Sequence, residues 1–253
     1  KRSGMEDRGQ WGSQLGFILA SAGSAIGLGN IWRFPYVVGE NGGGAFVLLY
    51  FIFVIIIGLP YLFAEYALGR HVNKNPVGAI EAIKPGSFWK VAGLMGIITG
   101  VGILSFYGVI AGWTVGYVFK TAFGSAGGFS EFIADPLMVV LLFAFFMLIT
   151  TTIVYSGIEG GIERWSKILM PLLLLLLIAL IVYSNTLEGS GRGLEFYLLP
   201  DFSKITGSAV LAALGQAFFS LSLGMGLMIT YGSYLPKTSN IMSSGIYIAL
   251  FDT

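Results

Sequence analysis

The sequence has little charge and few of the side chains that perform covalent chemistry. Among 253 residues there is no cysteine, there is one histidine, and only 11% are charged. The absence of cysteine excludes disulfides and thiol chemistry within this chain. His71 falls in a predicted loop, with no nucleophile or metal cluster around it to suggest covalent catalysis. We therefore expect no enzyme activity, and the net charge of +1 gives no global basis for binding nucleic acid.

The sequence contains many long runs of hydrophobic residues. Its residues are 55% hydrophobic and 15% aromatic, and a bilayer-spanning helix needs about 20 mostly apolar residues. We predict an all-α integral membrane protein with six spans, at 14–37, 45–69, 91–123, 136–155, 165–184 and 208–235. A last apolar run opens near Ile241 and stops at Asp252–Thr253, so we expect the chain to be a fragment that ends within a seventh span.

The few basic residues predict the orientation of these spans. With a cytoplasmic N-terminus, ten of the fourteen lysines and arginines fall on the inner side, as the positive-inside rule requires. These ten are Lys1, Arg2, Arg8, Arg70, Lys74, Lys84, Lys90, Arg164, Lys167 and Lys237. We expect a multi-pass protein of the cell membrane, in bacteria the inner membrane.

Two predicted spans carry helix-breaking patterns at mid-depth. The first contains GSAIGLGN, residues 23–30, and the sixth contains SLSLGMG, residues 220–226. Backbone groups freed inside a membrane must be satisfied by protein, water or a ligand. Half-helix N-termini attract an anion and unwound carbonyls attract a cation such as sodium. The two breaks therefore predict a site for a zwitterion and an alkali ion. The alternative is that Gly23 and Gly27 form a small-residue packing face.

Two ionisable residues near these breaks leave alternatives open. Burying the charged side chain of Arg33 inside a membrane costs free energy, so its presence predicts a water-filled path. The alternative is that Arg33, near a helix end, extends its side chain to the outer membrane interface. Glu65 has two readings as well. It is either a proton relay or, the reading we favour, a structural acceptor for the unwound part of the first span.

Several long motifs resemble the neurotransmitter:sodium symporter family, which includes the bacterial LeuT-like amino-acid transporters. They are WGSQLGFILASAGSAIGLGNIWRFPYVVGENGGGAF, GLPYLFAEYALGR, GIERWSKILMP and GQAFFSLSLGMG. The resemblance implies the LeuT-type inverted-repeat fold with discontinuous first and sixth helices. It assigns 1–184 to the first five-helix repeat, and 185–253 to an outer loop, the sixth helix and the start of the seventh.

The resemblance also implies site residues. The implied substrate contacts are Ala25, Leu28, Gly29, Ile103, Tyr107, Phe219, Ser220, Ser222 and Met225, with backbone groups acting at Leu28 and Gly29. The implied sodium ligands are Ala25, Asn30, Ser220 and Asp252 at one site, and Gly23 and Ile26 as half of a second site. The implied gates are Arg33 with Phe219 on the outer side, and Arg8, Trp11 and Tyr234 on the inner side. In the fifth span, nine residues separate Gly161 from Pro171. This spacing matches a family feature that lets the helix unwind.

The implied function is sodium-coupled symport of amino acids by alternating access, with two Na⁺ ions. Monoamine carriers of this family have Asp where this chain has Gly27, and the pocket is apolar with a flexible Met225, so we expect hydrophobic or aromatic L-amino acids.

Asp252 replaces the usual family Asn. It is either a plain sodium ligand or a fixed negative charge that makes transport independent of chloride.

The alternative function is an ion channel or other membrane pore. The expected partners are a small-molecule amino acid and the lipid bilayer, and the expected assembly is a monomer or weak homodimer.

Overall fold

Helices form almost all of the protein. The computed structural model describes residues 9–124 and 128–253, and within these ranges the only β pairing is an isolated bridge between Gly43 and Pro200. The α-helices are α1 (Gln14–Ala25), α2 (Phe34–Glu40), α3 (Gly44–Phe53), α4 (Leu59–Val72), α5 (Pro76–Ile83), α6 (Lys90–Ala122), α7 (Phe129–Ile133), α8 (Pro136–Tyr155), α9 (Arg164–Asn185), α10 (Ser190–Leu198), α11 (Gly207–Ser220), α12 (Leu227–Gly232) and α13 (Ile241–Asp252).

Four continuous helical stretches in the described ranges are long and apolar enough to cross a membrane. They are Gly44–Val72, Lys90–Ala122, Pro136–Tyr155 and Ile158–Asn185. A fifth is a bent pair, Gln14–Ala25 and Gly29–Glu40, whose halves meet at 45°. The predicted sixth span consists of α11 and α12 on either side of a break, and α13 occupies the predicted start of the seventh. The all-helical membrane architecture with a broken first helix is therefore confirmed.

The second span contains a feature that the sequence analysis did not predict. A π-helical turn, Val54–Gly58, joins α3 to α4. Pro60 follows at the start of α4 and has no backbone N–H to donate to the preceding turn. A wider turn just before a proline accommodates this missing hydrogen bond. The span runs to Val72 rather than to residue 69 and ends with Asn73 in the left-handed conformation.

The fifth span and the outer loop also differ from prediction. The fifth span begins with a π-helical turn, Ile158–Glu163, seven residues before the predicted start at residue 165. Its helix continues through Pro171 without unwinding. The region predicted as an outer loop contains α10, an amphipathic helix that hydrophobicity alone does not reveal, because it is short and rich in glycine.

The core lies between the first, second, sixth and seventh predicted spans. Phe17 of α1, Phe46 of α3, Tyr66 of α4, Leu221 after α11 and Ile248 of α13 are all fully buried. In contrast, the most apolar stretches of α8 and α9 bury none of their residues within the protein. Apolar side chains on such helices suit contact with lipid. The well-packed spans are thus the two that carry the breaks, together with the second and the start of the seventh.

Candidate functional site

The breaks in the first and sixth spans meet at one cavity of about 450 Å³. Its wall contains every predicted substrate residue except Leu28: Ala25, Gly29, Ile103, Tyr107, Phe219, Ser220, Ser222 and Met225. Leu28 directs its side chain into a neighbouring groove with Trp32 and Trp113. The expectation for Leu28 concerned its backbone, which remains next to Gly29 at the start of the outer half-helix.

The break in the first span exposes backbone groups to this cavity. Helix α1 ends at Ala25, and Ile26 turns the chain away from helical geometry with ψ of 102°. The following turn, Gly29–Arg33, is π-helical. Carbonyls at the end of one helix and N–H groups at the start of the next lack partners within their own helices. The cavity wall therefore offers both acceptors and donors from the main chain.

The break in the sixth span is built from residues with positive φ. Ser222, Gly224 and Gly226 have φ of 54°, 75° and 74°. A positive φ at a residue other than glycine is strained and needs support from its surroundings. The Ser222 hydroxyl donates to the Ser24 carbonyl across 3.2 Å, which links the two breaks directly.

Glu65 supports the sixth span and not, as the sequence suggested, the first. Its Oε1 accepts the Gly224 N–H at 3.2 Å, and the residue is only 5% exposed. A backbone N–H freed by the break would otherwise lie unpaired at membrane depth. The structural role expected for Glu65 therefore holds, but its partner is on the other broken helix.

A buried polar cluster lies beside the cavity at the ends of α11 and α13. Asn30 donates from Nδ2 to Asp252 Oδ1 at 2.8 Å and to the Ser220 hydroxyl at 3.1 Å. Ser220 donates to Asp252 Oδ2 at 2.7 Å. Tyr50, which the sequence analysis did not include among the ligands, donates to Asp252 Oδ2 at 3.3 Å.

This cluster has the chemistry of a cation site. Its oxygens are hard ligands of the kind that alkali ions prefer, and Asp252 is 7% exposed. In the described part of the chain, neither salt bridge includes Asp252, and all three of its side-chain partners are neutral. A buried carboxylate without a counter-charge is costly. The oxygens of Ser220 and Asp252 therefore suit a bound Na⁺, whereas Asn30 presents its amide nitrogen to Asp252, and Ala25 lies in the adjacent cavity wall.

Gly23 and Ile26, the residues predicted to form half of a second sodium site, line a separate cavity of about 520 Å³. Its opposite wall belongs to the fifth span and includes Ser166 and Met170. The structure thus places these two residues together, next to the helix whose start is π-helical.

The outer gate residues are in contact. The Arg33 guanidinium carbon lies 4.9 Å from the centre of the Phe219 ring, and Nη1 donates to Gln216 Oε1. Gln216 is a partner that the sequence analysis did not assign to Arg33. Its position in GQAFFS, one turn before Ser220, places it on the same face of α11 as the site. Arg33 is exposed and lines a second cavity, which shares Ile103, Tyr107 and Phe219 with the first.

On the opposite side, Trp11 joins the N-terminal segment to the end of α12. Its indole N–H donates to the Tyr231 carbonyl at 3.0 Å, and its backbone N–H donates to the Tyr234 carbonyl at 3.3 Å. Trp11 is 4% exposed. Two of the three predicted inner-gate residues therefore meet, while Arg8 lies outside the described residues.

Comparison with known proteins identifies several relatives over almost the whole chain. A profile described as "Sodium:neurotransmitter symporter family" matches residues 8–127 and 128–253. The uncharacterized sodium-dependent transporter YhdH of Bacillus subtilis is 45% identical, and the match covers 96% of this chain and 56% of the relative. The human sodium- and chloride-dependent GABA transporter 2 is 27% identical, with 92% and 46% covered.

One solved structure is especially similar. The crystal structure of MhsT in complex with L-phenylalanine matches with a TM-score of 0.91 and 51% identity. The match covers 97% of this chain and 58% of MhsT. The chain therefore spans about half the length of the relatives that it matches.

Proposed function

Because the chain belongs to the sodium:neurotransmitter symporter family, we propose that it takes part in sodium-coupled symport of hydrophobic or aromatic L-amino acids. The observation that carries this proposal is the meeting of two broken helices at one cavity, beside a buried carboxylate that has no basic partner among the described residues. Among the relatives, MhsT was crystallised with L-phenylalanine. The chain is part of a multi-pass membrane protein, and we infer a cytoplasmic N-terminus from its basic residues.

In this proposal the amino acid bridges the two breaks. Its carboxylate accepts from the backbone N–H groups of Leu28 and Gly29 and from the Tyr107 hydroxyl. Its ammonium donates to oxygens of Ala25, Phe219, Ser220 and Ser222. Ile103 and Met225 surround its apolar side chain, and the thioether of Met225 adapts to side chains of different shape.

Asn30, Ser220, Asp252 and the Ala25 carbonyl would hold one Na⁺. Asn30 directs its amide nitrogen at Asp252, so we infer that the amide turns to present its oxygen when the ion binds. Gly23 and Ile26 would supply carbonyls to a second ion. The charge of each ion moving inward across 100 mV is worth about 2.3 kcal/mol, so two ions supply about 4.6 kcal/mol for uphill uptake.

Alternating access would then follow from the gates. Arg33 and Phe219 cover the outer side of the cavity, and Trp11 with the end of α12 closes the inner side. We assign 1–184 to the first repeat and 185–253 to the start of the second, since the first and sixth spans each contain a break. The proposed assembly is a monomer or weak homodimer.

Uptake by the full-length protein in proteoliposomes tests this function. An inward Na⁺ gradient should drive saturable accumulation of labelled L-phenylalanine or L-leucine above the external concentration, and an equal K⁺ gradient should not. Non-saturable flux of the labelled amino acid down its own concentration gradient would contradict symport and favour a channel.

We further propose that Asp252 makes transport independent of chloride, because its fixed negative charge lies next to the proposed Na⁺. Asp252→Asn keeps the size of the side chain but removes that charge. We expect the apparent substrate affinity of the variant to increase about tenfold when gluconate is replaced by chloride, whereas the original protein should show no change.

The exposed carboxylate of Asp201 provides the matched control. Asp201→Asn should bind substrate equally in both salts. If Asp252→Asn is also insensitive to chloride and only needs more Na⁺, then Asp252 is a plain sodium ligand and this proposal is wrong.

A further inference from the structure

A second buried carboxylate joins the start of the first helix to the start of the fifth span. Glu163, at the end of the π-helical turn, is 1% exposed. Its Oε2 accepts the Gly12 N–H at 2.7 Å, and its Oε1 accepts the Ser13 hydroxyl at 2.8 Å. Lys167, one turn further along the fifth span, donates to Oε1 at 2.6 Å. We call Gly12, Ser13, Glu163 and Lys167 the Glu163 latch.

We propose that Glu163 is a gating residue: its carboxylate fastens the inner end of the first helix to the fifth span, and its release opens the cavity behind it to the cytoplasm. That cavity contains Gly23 and Ile26. The inference rests on the proposed sodium-coupled transport, because it gives the second ion an exit.

Two residues of the first segment make this contact possible. Gly16 faces Glu163 so closely that a Cβ at this position would overlap the carboxylate. Ser13 both donates to Glu163 and accepts the Gly16 N–H at 3.0 Å, as the N-cap of α1. The carboxylate thus reaches the backbone of the first helix only because position 16 has no side chain.

The arrangement of donors makes the contact reversible. Two of the three donors belong to the first segment, so both hydrogen bonds break if that segment moves away. Lys167 is on the same helix as Glu163, and its side chain is 42% exposed. The carboxylate therefore keeps a charged partner after release, which limits the cost of leaving it without the other two.

The position of the latch connects it to the cavity. Ser166 lies one turn beyond Glu163 and lines the cavity together with Gly23. Ile162, the neighbour of Glu163 on the π-helical turn, also lines the cavity, so the latch lies next to its wall. Separating these elements should expose Ser166 to water-soluble reagents.

The absence of cysteine from this chain allows a direct test. We introduce Ser166→Cys into the full-length protein, with any other cysteine replaced, and measure its rate of labelling by a membrane-impermeant maleimide from the cytoplasmic side in Na⁺. Glu163→Gln should increase this rate about tenfold, because the latch loses its charged acceptor and the open state becomes more populated.

Three further variants keep the test decisive. Gly16→Ala displaces the carboxylate without changing Glu163 and should produce the same increase, which matters if Glu163→Gln is recovered in low yield. Glu188→Gln is the matched control, since this carboxylate is exposed and follows the opposite end of α9. Gly9→Ala controls for the added methyl group, because a Cβ there meets nothing within 4 Å. Both controls should label at the original rate.

The proposal is overturned if folded Glu163→Gln and Gly16→Ala label at the original rate, which would leave the cluster a purely structural contact. It is equally overturned if Glu188→Gln labels as fast as Glu163→Gln. Sodium-dependent binding of L-phenylalanine is measured on the same samples. If the original protein does not bind it, the proposed function fails, whereas the labelling rates still decide whether the latch controls access.

Discussion

Replacing Gly27 with aspartate should weaken amino-acid binding by at least about 100-fold. Gly27 lines the cavity, and the nearest side-chain atom to an added Cβ, Tyr107 Cε2, is 3.9 Å away, so the larger side chain fits. Its carboxylate would lie close to the proposed position of the substrate carboxylate. Two like charges about 4 Å apart at an effective dielectric constant of about 20 repel by about 4 kcal/mol, which is more than enough for this loss.

The same variant should gain affinity for an amine that has no carboxylate. We expect phenylethylamine to bind Gly27→Asp more tightly than it binds the original protein, since the new carboxylate replaces the missing one. Gly27→Asn is the control of equal size without charge, and it should retain much of the amino-acid binding. Isothermal titration in Na⁺ measures all three proteins. Equal losses in the Asp and Asn variants would show that size, and not charge, governs this position.

Replacing Gly29 with alanine should weaken amino-acid binding by at least about tenfold. A Cβ at Gly29 would lie 2.8 Å from Phe219 Cε1 and 3.3 Å from the Tyr107 hydroxyl. Carbon atoms at contact are normally about 3.5–4.0 Å apart, so the Phe219 ring must move. Phe219 and Tyr107 both line the cavity between the two breaks, and any displacement changes its shape.

Gly39→Ala is the matched control for this prediction. Gly39 lies in α2, the same half-helix, and a Cβ there meets nothing within 4 Å. Both variants should express and fold, but only Gly29→Ala should lose binding in the same titration. If Gly29→Ala binds substrate as well as Gly39→Ala does, the contact between Gly29, Phe219 and Tyr107 does not shape the site.

The sequence predicted the architecture because the membrane imposes simple rules. Apolar length located the spans, and the glycine and hydroxyl clusters located both breaks, because a bilayer tolerates irregular backbone only beside a cavity. The cavity-lining residues came from the resemblance to a family, since no pattern within one sequence tells which side chains meet. The same resemblance brought Asn30, Ser220 and Asp252 together over more than 200 positions.

What the sequence missed depends on contacts between distant segments. The partner of Glu65 was assigned to the wrong broken helix, because both breaks leave similar N–H groups unpaired. The bond from Arg33 to Gln216 and the latch at Glu163 link residues 183 and about 150 positions apart. The π-helical turns depend on small shifts in hydrogen bonding that hydrophobic periodicity does not record.

We propose a single function for the two broken helices, the buried carboxylate and the two predicted gates. The breaks place free backbone groups at mid-depth, Asp252 brings a negative charge to them, and the neighbouring oxygens suit an alkali ion. Such a site should bind its substrate only when the ion is present, because the ion and the substrate share the same broken segments.

Binding of labelled amino acids to the purified full-length protein, in Na⁺ and in K⁺, tests this claim most directly. The account predicts saturable binding of at least one of leucine, phenylalanine, tyrosine, tryptophan and methionine in Na⁺, and no binding in K⁺. Equal binding in both salts, or none of the five bound in Na⁺, would contradict it.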